Sequence, residues 1–289
     1  MDDETLRLVT RGCRVVLLAA TETETKSLLD GLQEPQKYVL ATKTILLGEL
    51  EPECAASEGG AGSVVRVVLA ISGCDKANAA HVLTCLLQAM RPAPLLVLQV
   101  GIAGALPRAG REPGAAIGDV VVATQEAYSD TGSSSPAGWL SADDLGLTIA
   151  CVNGTEVGGT FTLDERLVRA AAEAIEAVDW SESGARSGAP PAVLLGPCVT
   201  ASRMTGLRSE ADAEARRWAA LAESMEGAAA AHICALYGVP FLEIRGISNL
   251  VVDRDRGAWQ VDRAVAVAGR AARAVVAALD RLPLSCVGE

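Results

Sequence analysis

Short runs of almost wholly apolar residues alternate with amphipathic, 3.6-residue patterns along most of this chain. That alternation restricts the fold more than any other feature. Residues 14–20, 38–47, 64–71, 95–100, 119–124, 192–199 and 240–247 read as strands, the first of them buried. Residues 22–33, 76–90, 209–221, 227–236 and 262–282 read as helices. A further helix is predicted behind Thr162, which forms a capping-box pattern with Glu165, and its apolar Leu167, Val168, Ala171, Ile175 and Val178 share one face. Segments 107–118, 129–138 and 181–191 read as loops, and 49–63 as a Gly- and acid-rich excursion between strands. No internal repeat or long linker interrupts the series. The expectation is one α/β domain over residues 1–289, with a central mixed, twisted sheet and helices on both faces.

Composition removes several function classes. Half of the 289 residues are hydrophobic and 21% are charged, as in a folded globular chain. Aromatics are only 3%, so Ala, Val, Leu and Ile must build the core. A formal charge of -11 and a pI near 4.8 would repel nucleic acid and anionic membranes alike. An acidic small substrate would need locally placed arginines. The acidic opening and the short apolar run behind it fit neither a signal peptide nor an anchor, and no apolar stretch reaches the roughly 20 residues of a membrane span. Eight cysteines occur without a CxxC pair, mostly inside apolar patterns, where Cys acts as a small hydrophobe; a reduced, cytoplasmic setting is expected. With only His81 and His232, both in helical patterns, no metal site is expected. No cofactor is expected either, since the chain carries neither a dinucleotide fingerprint nor a Walker motif.

In an alternating α/β sheet, ligands bind beyond the carboxyl ends of strands. The segments to watch are therefore 21–24, 73–76, 101–104, 200–205, 224–226 and 248–249. Gly101-Ile102-Ala103-Gly104 reads as a tight turn, or as a place where a ligand approaches backbone closely. Glu24 is open to two readings: a catalytic acid, or the far end of a capping box begun by Thr21. Glu226 opens a small-residue helix, where an acid also suits the helix dipole. A second strand ends nearby at Ser248-Asn249, so two polar groups converge.

Ser224-Met225-Glu226-Gly227-Ala228-Ala229, Gly238-Val239-Pro240-Phe241 and Ile244-Arg245-Gly246-Ile247-Ser248-Asn249 together resemble the purine nucleoside phosphorylase/nucleosidase superfamily. Within it the chain is similar to methylthioadenosine/S-adenosylhomocysteine nucleosidases. It is more similar to the futalosine hydrolases of menaquinone biosynthesis, through Gly101–Ala105, Gly118-Asp119-Val120-Val121-Val122-Ala123, Tyr128 with Asp130, and Arg254-Asp255-Arg256 with Trp259. The resemblance implies a nucleoside phosphorylase/hydrolase-like three-layer fold that cleaves an N-ribosidic bond through an oxocarbenium-like sugar. Glu24 matches the water-activating acid, Glu226 the acid that accepts from ribose hydroxyls, and Met225 the apolar contact to the sugar. Ile102, Ala103, Gly104, Thr200, Ser202 and Met204 fall at substrate-contacting places.

Asn249 stands where adenine-releasing relatives carry Asp. An amide cannot supply a proton but suits a 6-oxopurine edge, so hypoxanthine is the expected leaving base. Adenine release from 6-amino-6-deoxyfutalosine, methylthioadenosine or S-adenosylhomocysteine is the alternative, and a non-catalytic nucleoside-binding protein the one from another class. Phosphorylases carry a Gly-Asp-Pro-x-Arg-like segment where this chain has Ala20-Thr21-Glu22-Thr23-Glu24, and a serine where it has Ile102; water is the expected nucleophile. Arg254 and Arg256 are candidates to pair with the carboxylate of futalosine, and Arg245 to partner Glu243 or Glu226. Met204, near the place of a stacking Phe, and the neighbouring Arg203 depart from the family pattern. Relatives self-associate, so a homo-oligomer is expected.

Overall fold

The computed structural model describes residues 1–53, 64–107, 114–182 and 190–284. Its first half runs α1 (Asp3–Val9), β1 (Val15–Ala19), α2 (Glu22–Leu29), β2 (Leu32–Leu40), β3 (Lys43–Leu50), β4 (Val65–Ile71), α3 (Lys76–Ala89) and β5 (Leu96–Ala105). There follow β6 (Val120–Tyr128), β7 (Gly132–Ser135), β8 (Gly138–Ser141), β9 (Ala150–Val152), β10 (Thr155–Val157), β11 (Thr160–Thr162) and α4 (Glu165–Glu176). The last part holds β12 (Val193–Thr200), α5 (Arg208–Trp218), β13 (Ala222–Ser224), α6 (Gly227–Tyr237), β14 (Phe241–Leu250) and α7 (Val261–Ala277).

One mixed sheet of ten strands organises the molecule. β1 pairs in parallel with β4 and β5, while the β2–β3 hairpin continues antiparallel from β4. The other half closes on itself. β14 bonds to both β5 and β6, β6 to β12, β12 to β13, and β13 back to β5. That closure leaves no open edge around the ring and gathers the ends of β5, β12, β13 and β14 on one rim. Helices cover the sheet in two groups, α2 and α4 against α7, and α1 and α6 against α3.

The core is aliphatic, as the scarcity of aromatics requires. All five residues of β1 are buried, and α7 buries Ala264, Ala268, Ala271 and Ala272 along one face. Small residues let layers approach closely. At Gly246 of β14 a β-carbon would run into the Ala264 carbonyl of α7. Cys13, Cys198 and Cys234 are buried as small hydrophobes, whereas Cys74 and Cys151 are exposed.

Several boundaries differ from the sequence reading. The run 38–47 is not one strand: Ala41 and Thr42 both take positive φ and turn the chain from β2 into β3. The helix predicted for 22–33 stops at Leu29, and β2 begins at Leu32. Thr162 ends β11, and the N-cap of α4 is Asp164, whose carboxylate accepts from the Arg166 and Leu167 amides. Within 129–138 the chain forms most of the β7–β8 hairpin rather than an open loop. Residues 101–104 continue β5 instead of turning. Most of the predicted 181–191 loop, and parts of 107–118 and 49–63, lie outside the described residues.

Gly246→Ala is expected to cost about 1–3 kcal/mol by overpacking the β14–α7 contact. Urea denaturation should show a lower midpoint at unchanged slope, and a midpoint equal to wild type would contradict this packing.

Candidate active site

Glu24 does both things its sequence position allows. The Thr21 hydroxyl accepts from the Glu24 amide (3.3 Å), and Glu24 Oε2 accepts from the Thr21 amide (2.9 Å) and hydroxyl (3.0 Å), a complete capping box on α2. Its other oxygen, Oε1, accepts from the Ile102 amide of β5 at 3.0 Å. The cap therefore locks the rotamer that brings the carboxylate to β5. Gly101 permits this approach, because a β-carbon there would collide with Glu24 Oε1 and crowd Arg245.

Glu226 is the N-cap residue of α6, yet its side chain does not cap. Thr200 does so instead, its hydroxyl accepting from the Ala228 amide at 2.8 Å. Freed from that task, Glu226 Oε1 accepts from the Asp75 amide (3.0 Å) and Oε2 lies 3.6 Å from Arg245 Nη2. Burial pushes the Glu226 pKa up, with Arg245 opposing. Arg245 is 1% exposed and donates through Nε to Glu243 Oε1 (2.6 Å) and through Nη1 to the Ile102 carbonyl (3.3 Å). Burial disfavours its charge, but Glu243, Glu226 and Glu24 outweigh that and raise its pKa. Both partners expected for Arg245, Glu243 and Glu226, are present.

Behind this cluster Glu126 and Glu243, both fully buried, face one another across Gly227. Glu126 Oε2 accepts from the Thr200 hydroxyl at 2.7 Å, while Glu126 Oε1 and Glu243 Oε2 have no hydrogen-bond partner among the described residues. Complete burial, then the facing Glu243, hold the Glu126 pKa well above the ordinary carboxylate range.

Asn249 is turned inward by a bulge in β14. Ile247 pairs with Ala103 and Asn249 with Gly104, leaving Ser248 as the extra residue. The Ser248 hydroxyl donates to Asn249 Oδ1 (2.7 Å), and Asn249 Nδ2 donates to the Leu250 carbonyl (3.2 Å). The amide oxygen is thus engaged and one N–H stays available.

These groups meet in a cavity of about 220 Å³. Every strand-end segment singled out in the sequence contributes to it: Thr21 and Glu24, Cys74, Ile102 to Gly104, Met204 and Thr205, Ser224 to Glu226, and Ser248 with Asn249. Arg254 and Trp259 complete it, the guanidinium lying 5.4 Å from the indole centroid. A larger cavity of about 480 Å³ lies at the other end of α6 and holds none of the predicted residues.

Three expected contacts are not part of the cavity lining. Thr200 is fully buried and spends its hydroxyl on α6 and Glu126. Ser202 ties its loop down, donating from Oγ to Asp75 (2.6 Å) and from its amide to Asp130 (2.7 Å). Arg256 sits exposed in the short 3-10 turn Arg256–Ala258. Arg203 points to Glu210 in an exposed ion pair. Sequence reasoning missed Glu223 and Trp259 as cavity residues. The signal for Glu223 was an acid two residues before Met225-Glu226; Trp259 stood in the quoted tail but carried no role.

Glu126 binds its proton more tightly folded than unfolded, so it costs stability as pH rises above about 4.3, the ordinary carboxylate value. Glu126→Gln supplies an amide N–H in place of that proton. Its denaturation midpoint is expected to gain on wild type as pH rises from about 4 towards 8; a pH-independent difference would contradict the raised Glu126 pKa.

A family model described as the phosphorylase superfamily matches residues 14–282. Futalosine hydrolase of Streptomyces coelicolor is 39% identical over 175 residues, 59% of this chain and 60% of that protein. This chain therefore matches less than two thirds of that relative's length. Futalosine hydrolase of Thermus thermophilus is 30% identical over 71% of this chain and 79% of its own. Among solved structures, the Neisseria meningitidis 5'-methylthioadenosine/S-adenosylhomocysteine nucleosidase in complex with methylthio-immucillin-A superposes with a TM-score of 0.70 at 23% identity, covering 91% of this chain and 98% of that one. Since the family match runs from the residue before β1 to beyond α7 and takes in every wall of the cavity, the chain belongs to the phosphorylase superfamily.

Proposed function

We propose that this chain, acting as one domain, hydrolyses the N-ribosidic bond of futalosine and releases hypoxanthine and dehypoxanthine futalosine. The observation that carries the reading is the convergence of Glu24, Glu226 and Asn249 on one small cavity, in a chain similar to futalosine hydrolases. Glu24, held by the Thr21 and Ile102 donors, takes a proton from the attacking water. Glu226 accepts from the ribose hydroxyls, and its charge favours the positive sugar of the transition state. Met225 packs on the sugar, and Ile102, Ala103 and Gly104 form the floor. The base departs with the N9 bonding pair as an anion that the free Asn249 N–H hydrogen-bonds, with Met204 beside it, and it regains through solvent the proton that Glu24 took from water. Arg254 is the arginine assigned to the aryl carboxylate, supported by its lying in the cavity lining with Trp259, where Arg256 does not.

Water is favoured over phosphate because Glu24 and Glu226 bring two carboxylates to the wall, and Arg245 is already engaged by Glu243 and Glu226. A cytoplasmic setting, which rests on the cysteine pattern, and self-association, which rests on the resemblance, belong to the same proposal. No helix among the described residues is long and apolar enough to cross a membrane. Similarity to a 5'-methylthioadenosine/S-adenosylhomocysteine nucleosidase of Actinobacillus succinogenes, 34% identical over 63% of this chain, supports adenine release as the second reading.

The deciding experiment offers futalosine, 6-amino-6-deoxyfutalosine, methylthioadenosine and inosine separately and identifies the released base by chromatography. Hypoxanthine from futalosine is expected; adenine release with futalosine untouched would select the second reading. Glu24→Gln should lower kcat by about 10²–10⁴-fold with substrate affinity retained. Unchanged turnover would leave Glu24 a helix cap only. Because Glu226 must be ionised for its charge to favour the positive sugar and burial raises its pKa, the acid limb of kcat/KM should lie above the ordinary value of about 4.3. A limb at or below that value would count against its role.

A further inference from the structure

One buried carboxylate in the cavity has no task in the reaction above. Glu223 lines the cavity at 7% exposure. Its Oε1 accepts from the Thr205 amide at 2.8 Å and its Oε2 from the Thr205 hydroxyl. Each oxygen keeps further acceptor capacity, since an ionised carboxylate has about four lone-pair sites. In the sheet Glu223 pairs with Gly104 from β13, and Asn249 pairs with Gly104 from β14. The acid and the amide therefore reach the cavity from strands on opposite flanks of β5. Asn249 offers a donor, because the Leu250 carbonyl takes only one of its two N–H groups. Glu223 offers an acceptor.

We propose that Glu223 is a specificity-determining residue that accepts the N1–H of a 6-oxopurine while Asn249 donates to its O6 or N7. This rests on the nucleosidase reading above. A 6-oxopurine places an acceptor, O6, beside a donor, N1–H. A 6-aminopurine reverses both, so its N1 lone pair would face the Glu223 carboxylate, and where Asn249 donates to position 6 its N–H would meet the amino group. Buried polar groups left unpaired in this way reject the wrong substrate far more strongly than a missing apolar contact does. Burial raises the Glu223 pKa, while the two Thr205 bonds favour its ionised, accepting form.

The competing explanation is that Glu223 only anchors the Thr205 segment. A specificity ratio separates the two. Wild type and Glu223→Gln are compared by kcat/KM for futalosine over 6-amino-6-deoxyfutalosine. The variant keeps the shape and an acceptor for Thr205 but brings an N–H to the base. The ratio is expected to fall at least tenfold. A ratio within twofold of wild type, with both values lowered together, would assign Glu223 to anchoring and overturn the proposal. A second measurement needs no variant: calorimetric binding of hypoxanthine and of 1-deazahypoxanthine, which has C–H in place of N1–H, to the wild-type protein. At least tenfold weaker binding of the deaza base is expected. Equal binding, or no binding of hypoxanthine, would overturn the proposal. Should futalosine not be turned over while hypoxanthine still binds at least tenfold tighter than the deaza base, the reaction assignment fails and the role of Glu223 stands.

Discussion

The buried guanidinium of Arg245 is the constraint on which the rest of the site depends. A charge at 1% exposure is tolerable only when its partners are fixed, and three elements supply them: Glu243 from its own strand, Glu226 from the start of α6, and the Ile102 carbonyl from β5. Removing one member of such a buried set typically costs about 3–5 kcal/mol, because the remaining charge is stranded. Arg245 thereby ties the register of β14 against β5 to the position of α6. The same tie places Glu226 on the cavity wall opposite the backbone that holds Glu24. Gly101 and Gly227 are small because carboxylate oxygens occupy the space a side chain would take.

Ring closure explains how residues so distant in sequence share a cavity. β5 pairs with β1 along its first half and with β13 and β14 at its glycine-containing end, so three strands deliver their ends around it. Each neighbour delivers one kind of chemistry to that end. β1 leads into the helix carrying Glu24, β13 carries Glu223 and leads to Met225 and Glu226, and β14 carries the bulged Ser248 and Asn249. The Thr200 hydroxyl caps α6, so Glu226 can face the cavity instead of its own helix. Structural and chemical duties are divided between neighbouring side chains.

Much of this was legible in the sequence, for a physical reason. Apolar runs ending in small or polar residues mark strands and their ends, and all six marked segments reach the cavity. What stayed hidden depended on contacts between distant segments. Residues 101–104 read as a turn because glycines break local strand preference, yet pairing with β13 and β14 keeps them extended. Thr200 and Ser202 read as substrate contacts because their position beyond a strand suits that role; only the fold shows their hydroxyls spent on Glu126 and Asp75. The two turn residues Ala41 and Thr42 carry no turn-forming chemistry, which is why one strand was expected where a hairpin forms. Glu223 escaped notice because a lone acid in a short strand looks like an edge residue until β12 and β5 enclose it.

The central claim is that these converging carboxylates drive hydrolysis rather than transfer to phosphate, with a 6-oxopurine as leaving group. The most direct test is the rate of hypoxanthine release from futalosine in phosphate-free buffer and again with phosphate added. The account predicts full release without phosphate, an unchanged rate with it, and the free sugar as the other product. Release that begins only when phosphate is supplied, together with a sugar 1-phosphate, would contradict it.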